Sequence, residues 1–252
     1  MNTLKSAVER YVEDILLKNQ EVESFIKQSS ILLTENEEGL VWDIMILIPD
    51  DLFLNKVICS WDDCFAIDDH NHNPWVFARV KNYKWLRQDF YKRLPIALWI
   101  FQNSLIIRDR EDRFAGILRE QQEIFANSVN GILGKKYIEF RTERHNLRHA
   151  IKKQRKMASI IIKAAIVKLA LEICFLAEDK PYPYKKLLPE AVVENTTHGK
   201  KVYQISECFL EAEDPDSIIE LSDTLVQAIA LVLKETNLFS ENFLQQWWLH
   251  LE

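Results

Sequence analysis

The sequence predicts an α+β protein: a mixed β-sheet domain with flanking helices over residues 1–110 and a C-terminal helical bundle over 111–252. Two observations carry this. Short apolar runs bounded by polar breaks concentrate before residue 110, as strands do. After it, apolar residues recur at helical spacing almost without interruption. No Gly/Ser linker separates the halves, so two packed subdomains with a cleft between them are expected, a common place for a ligand.

The elements follow in order. Leu4, Val8, Tyr11, Val12 and Ile15 share one helical face, which predicts a helix over 3–18 capped by Thr3. A short helix is expected over 21–27. Residues 30–34 and 40–48 read as two strands around a polar turn containing Gly39. Asn55–Trp61 and Trp75–Tyr83 read as two more, joined by the polar segment Asp62–Pro74. Leu86–Phe101 reads as a helix kinked at Pro95, which lacks a backbone donor. Ser104–Arg108 is a short strand and Asp109–Asp112 a polar break. Helices are then expected over Arg113–Asn130, Lys135–Gln154, Met157–Ala177 and Asp216–Lys234, the last capped by Asp214 with Pro215 at its first position. A final helix over Ser240–Leu251 carries Trp247 and Trp248.

Composition removes several classes of function. Only 5 of 252 residues are Gly, and none forms a phosphate-cradling loop, so P-loop and dinucleotide fingerprints are absent. A net charge of −6 argues against broad nucleic-acid binding. The most apolar helix, Met157–Phe175, is interrupted by Lys163, Lys168 and Glu172, which marks a bundle core and not a membrane span. The four Cys are scattered and the N-terminus has no apolar signal core, so a reducing cytoplasmic setting is expected. No Ser lies in a G-x-S-x-G elbow.

The most informative stretch is Gln28–Asp51, QSSILLTENEEGLVWDIMILIPDD. Asp43 interrupts an apolar strand, where a charge is costly without a partner or a metal. Ser29-Ser30 precedes it by a dozen residues. Further on stand NSLIIRDREDRFAGIL and KPYPYKKLLP (Lys180–Pro189). Together these resemble the nucleotidyltransferase superfamily, in particular the aminoglycoside-type and related bacterial members with a C-terminal helical domain. The likeness spans roughly residues 20–190. In that family a Gly-Ser is followed by Asp-x-Asp in an apolar strand, with a third carboxylate from a later strand.

The resemblance implies that Asp43 is the catalytic and metal-binding carboxylate, with Ser29 and Ser30 near phosphate. The chemistry it implies is attack of a hydroxyl on an α-phosphate, with Mg²⁺ bridging the reacting oxygens. Alternate residues of a strand share a face, so Asp-x-Asp presents both carboxylates together. Here Met45 takes the second place, and a thioether is a poor Mg²⁺ ligand. The later strand, WVFARVKNY, has no Asp or Glu. The motif therefore reads as degenerate.

Arg141, Arg144, Arg148, Lys152 and Arg155 form one helical stripe beside the apolar stripe of Phe140, Leu147, Ile151 and Ala158. Arg144, Arg148 and Lys152, with Lys185 after the Tyr-Pro-Tyr turn, are candidates to meet the phosphates of a nucleoside triphosphate. Cys59, Cys64, His70 and His72 have zinc-ligand types at spacings foreign to common zinc modules. An acidic loop of Asp62, Asp63, Asp68 and Asp69 could supply a missing carboxylate. His145 and His149 lie four apart on one helical turn.

Three functions are compatible with these features. One is a nucleotidyltransferase-fold protein that has lost catalysis and keeps at most a nucleotide or phosphate cleft. Another is a divergent Mg²⁺-dependent nucleotidyltransferase acting on a small hydroxylated acceptor. The third is an interaction module, using the Trp-rich C-terminus toward a protein partner or a second copy.

Overall fold

The computed structural model describes residues 2–16, 28–37, 40–51 and 65–251. Two compact units divide the chain, Met1–Glu123 and Ile124–Glu252. The expected helix over 21–27, the expected strand Asn55–Trp61, and Cys59, Cys64, Asp62 and Asp63 lie outside the described residues.

In the first unit, helix α1 (Asn2–Tyr11) passes into a π-type turn over Val12–Leu16. Strands β1 (Ser30–Glu37), β2 (Val41–Ile48), β3 (Phe65–Asp69), β4 (Trp75–Asn82) and β5 (Leu105–Arg108) form one mixed sheet in the order β3-β4-β2-β1-β5. β1 pairs antiparallel with β2 and β5, β2 pairs parallel with β4, and β3 pairs antiparallel with β4. β3 falls inside the segment read from sequence as a polar connection. Its Phe65-Ala66-Ile67 core is short, and two aspartates end it, which masks the strand pattern.

The sheet has two unlike faces. Trp42, Ile44, Ile46 and Ile48 of β2 join Ile31, Leu33, Val76, Ala78, Val80 and Ile107 in a core closed by Val8, Tyr11 and Val12 of α1. Alternation sends Asp43, Met45 and Leu47 to the other face, with Phe77 and Arg79 of β4. A bulge between Leu33 and Glu35 interrupts the β1–β2 register, so that Glu35 faces Asp43.

Helix α2 (Tyr83–Gln102) is capped by Asn82, whose side chain accepts from Trp85 N. Its backbone leaves helical geometry at Arg93, two residues before Pro95, as a missing donor and a ring clash in the preceding turn dictate. A 3₁₀ turn (Arg110–Asp112) leads into helix α3 (Arg113–Lys152). Two helices were expected here, with a break between Asn130 and Lys135. The helix runs through instead. Two glycines cost about 1 kcal/mol each in a helix interior, and burial of Val129, Leu133 and Tyr137 on either side outweighs that.

The second unit takes α3 from Ile124 and adds α4 (Lys156–Leu176), α5 (Leu188–Asn195), α6 (Gly199–Glu211), α7 (Pro215–Glu235) and α8 (Glu241–Gln245), then a 3₁₀ turn (Trp247–His250). α4 packs on α5, α6 and α7, and α6 on α5 and α7. Asp214 caps α7 as expected, accepting from Asp216 N at 3.0 Å and Ser217 N at 3.1 Å. Ser240 caps α8, accepting from Phe243 N at 3.1 Å. α5 and α6 were not anticipated. The polar stretch between them obscures both, and within it His198 bonds Glu235 at 2.7 Å. Glu172 is buried and ion-paired with Lys136 and Lys168. Among the described residues, no helix is long and apolar enough to cross a membrane.

Candidate functional site

The β1–β2 hairpin holds Asp43 beside the bulge. Thr34 Oγ1 donates to the Asp43 backbone carbonyl at 3.0 Å. The Asp43 carboxylate is taken by Arg79: Nη2 lies 2.9 Å from Oδ1 and 2.7 Å from Oδ2. Both side chains are largely covered, with 21% and 33% exposure. Parallel pairing puts Arg79 across from Met45, one pleat along from Asp43 on the same face. Burial pushes the Asp43 carboxyl above its ordinary value; the charge and hydrogen bonds of Arg79 pull it down, and Glu35 across the hairpin pushes it up again. The net direction is upward.

This geometry tests the fit of Mg²⁺. The ion requires hard oxygen ligands in near-octahedral array. Here a guanidinium lies against both oxygens of Asp43, and a thioether stands at Met45. Glu35 faces Asp43 from β1, so the hairpin brings two carboxylates together and Arg79 takes that of Asp43. Among the described residues no group of three or more His, Cys, Asp or Glu side chains is placed to hold a metal ion. The donor set does not suit Mg²⁺.

Ser29 and Ser30 are both fully buried. Ser30 Oγ donates to Asp109 Oδ1 at 2.6 Å. Its single proton is then spent, so the Tyr83 hydroxyl, 2.6 Å away, donates to Ser30. Asp109 also accepts from Phe114 N at 3.1 Å and Ala115 N at 2.9 Å, anchoring the first turn of α3. Ser30 thus ties β1 to the starts of α2 and α3. Burial raises the Tyr83 phenol above its ordinary value.

In the second unit, Arg144 and Arg148 converge on Asp223 of α7, Arg148 Nη2 at 3.2 Å from Oδ2. Burial, with repulsion from Arg148 and Arg141, brings Arg144 down to about 10. Lys152 and Lys185 are exposed. His145 and His149 stand with Nε2 atoms 3.1 Å apart. His70 pairs with Asp68 at 3.1 Å, and His72 packs between Tyr11 and Trp42 at 4.6 and 5.4 Å. Asp69 accepts from the Tyr11 hydroxyl at 3.0 Å. Trp247 is buried while Trp248 is 51% exposed.

Reading the sequence missed Arg79, Glu35, Tyr83 and Asp109. A signal existed for Arg79: it is the cation in the middle of an alternating strand, where a charge needs a partner. Asp109, an acid just before a helix start, carries the signature of a capping residue.

No protein-family model and no curated protein matches the chain. Among solved structures, it is similar to a nucleotidyltransferase-like protein from Exiguobacterium sibiricum 255-15, with a TM-score of 0.51 and 10% identity over 91% of this chain and 78% of that one. The fold is α+β and nucleotidyltransferase-like, a five-stranded mixed sheet with helices and a helical C-terminal unit.

Proposed function

We propose that this chain is a nucleotidyltransferase-fold protein that no longer transfers nucleotides and serves as a binding module. One observation carries the reading: the Arg79 guanidinium lies against both carboxylate oxygens of Asp43. A metal-holding carboxylate must offer its lone pairs to the ion, and an ion pair on the same oxygens competes for them directly. What the module keeps is at most a nucleotide or phosphate site. Its proposed contacts are Arg144, Arg148, Lys152 and Lys185 of the helical unit, and its proposed setting is a cytoplasm.

Glu35 supports a second reading. It faces Asp43 across the hairpin, and if Arg79 were displaced the two acids could share a metal in a divergent Mg²⁺-dependent enzyme. Calorimetric titration of ATP and GTP, with and without Mg²⁺, separates the two. The binding module predicts heats indifferent to Mg²⁺ and to Asp43→Ala, and lost in the Arg144→Ala, Arg148→Ala double variant. Binding that requires Mg²⁺ and vanishes in both Asp43→Ala and Glu35→Ala overturns it in favour of the enzyme. Absence of any nucleotide binding leaves the fold as an interaction module.

A further inference from the structure

We infer that the helical unit carries a separate ligand site, a small cavity that takes the carboxylate of a short organic monoanion. The cavity has a volume of about 310 Å³. Three helices line it, each with a pair four residues apart: Tyr137 and Arg141 of α3, Ala230 and Lys234 of α7, Glu241 and Gln245 of α8. This spacing puts each pair on one face of its helix.

Arg141 is the reason to assign a ligand. Its Nη1 donates to the Tyr137 hydroxyl at 2.7 Å and to the Leu244 carbonyl at 2.9 Å. Its guanidinium lies 5.7 Å from the Tyr137 ring centroid and 5.6 Å from that of Trp247. These contacts anchor the C-terminal segment, but they engage only one nitrogen. A guanidinium has five N–H donors. Nε is buried without an acceptor, and among the described residues Nη2 has none and no carboxylate pairs with Arg141. A half-buried cation without a counter-charge is costly.

The charge count then selects the ligand. Lys234 pairs with Glu241 at 3.2 Å, so the lining carries Arg141 as its one uncompensated charge. A monoanion balances that charge, whereas a phosphate ester dianion exceeds it. A carboxylate matches the planar guanidinium fork. The Tyr137 ring, Ala230 and Leu244 offer apolar wall to a short aliphatic body.

Titrating the full chain with butyrate tests the site, with inorganic phosphate as the dianion probe. Saturable one-site butyrate binding is expected, weakened at least about tenfold by Arg141→Gln, the loss of a charge-assisted hydrogen bond. Because that variant also loosens the C-terminal anchor, Ala230→Leu is the second arm. It fills the cavity while keeping every contact of Arg141, and it too should weaken butyrate at least about tenfold. No saturable binding by the wild-type chain, wild-type affinity in Ala230→Leu, or binding lost in Arg148→Ala instead would overturn the proposal.

Discussion

Asp43 and Arg79 face each other across two neighbouring strands, and the pair decides what the hairpin can do. Arg79→Ala leaves a largely covered carboxylate without its partner and should cost about 1–3 kcal/mol in urea denaturation. The Asp43→Ala, Arg79→Ala double variant should lose less than the sum of the singles, by about 1 kcal/mol of coupling. The pH dependence has a definite sign. The folded Asp43 carboxyl is raised, chiefly by burial. Its contribution is therefore fully present below the unfolded value and is lost as pH rises through the raised one. Asp214 is the reverse: hydrogen bonds from Ser217 lower it, so its contribution is present above the unfolded value and is lost as pH falls. In melts across the carboxylate range, Asp43→Asn should gain on wild type as pH rises, and Asp214→Asn should fall behind. Equal slopes for the two variants would contradict both assignments. Ser30→Ala removes the hydroxyl between Tyr83 and Asp109 and should cost about 1–3 kcal/mol by denaturation. A Ser30 side chain serving only a ligand would leave stability unchanged.

At the scale of elements, α3 shows how packing overrides a local signal. Gly131 and Gly134 predict a break, yet the helix continues. A Cβ at Gly131 meets nothing within 4 Å, so Gly131→Ala should stabilise by about 0.5–1 kcal/mol. At Gly134 a Cβ would stand 3.4 Å from the Phe239 ring, so Gly134→Ala should gain less. Equal gains in paired thermal melts would contradict this. The legible elements were those with strong local signatures: β1 and β2 from their apolar runs, α2 with its Pro95 kink, and α7 from Asp214 and Pro215. β3, α5 and α6 were hidden because polar residues break up their patterns: two aspartates end β3, and Thr196, Thr197 and His198 stand between α5 and α6. The continuity of α3 was hidden because helix propensity is local, and the burial that sustains this helix is not.

For the whole molecule, the nucleotidyltransferase-like α+β fold was legible because the order of motifs along the chain mirrors the order of elements. The state of its hairpin was only half legible. Sequence spacing placed Asp43 in its strand and exposed Met45 beside it. It could not place Arg79, since the parallel pairing of β2 with β4 joins residues 36 apart in the chain. Nor could it place Glu35, because a one-residue bulge in β1 sets which side chain faces Asp43. The central claim is that Arg79, not a metal, satisfies Asp43. Mn²⁺ is a spectroscopic stand-in for Mg²⁺, and its binding to the nucleotide-free chain can be titrated by electron paramagnetic resonance. The account predicts no saturable Mn²⁺ site in the wild-type chain. One tight Mn²⁺ per chain, lost on Asp43→Ala, would contradict it.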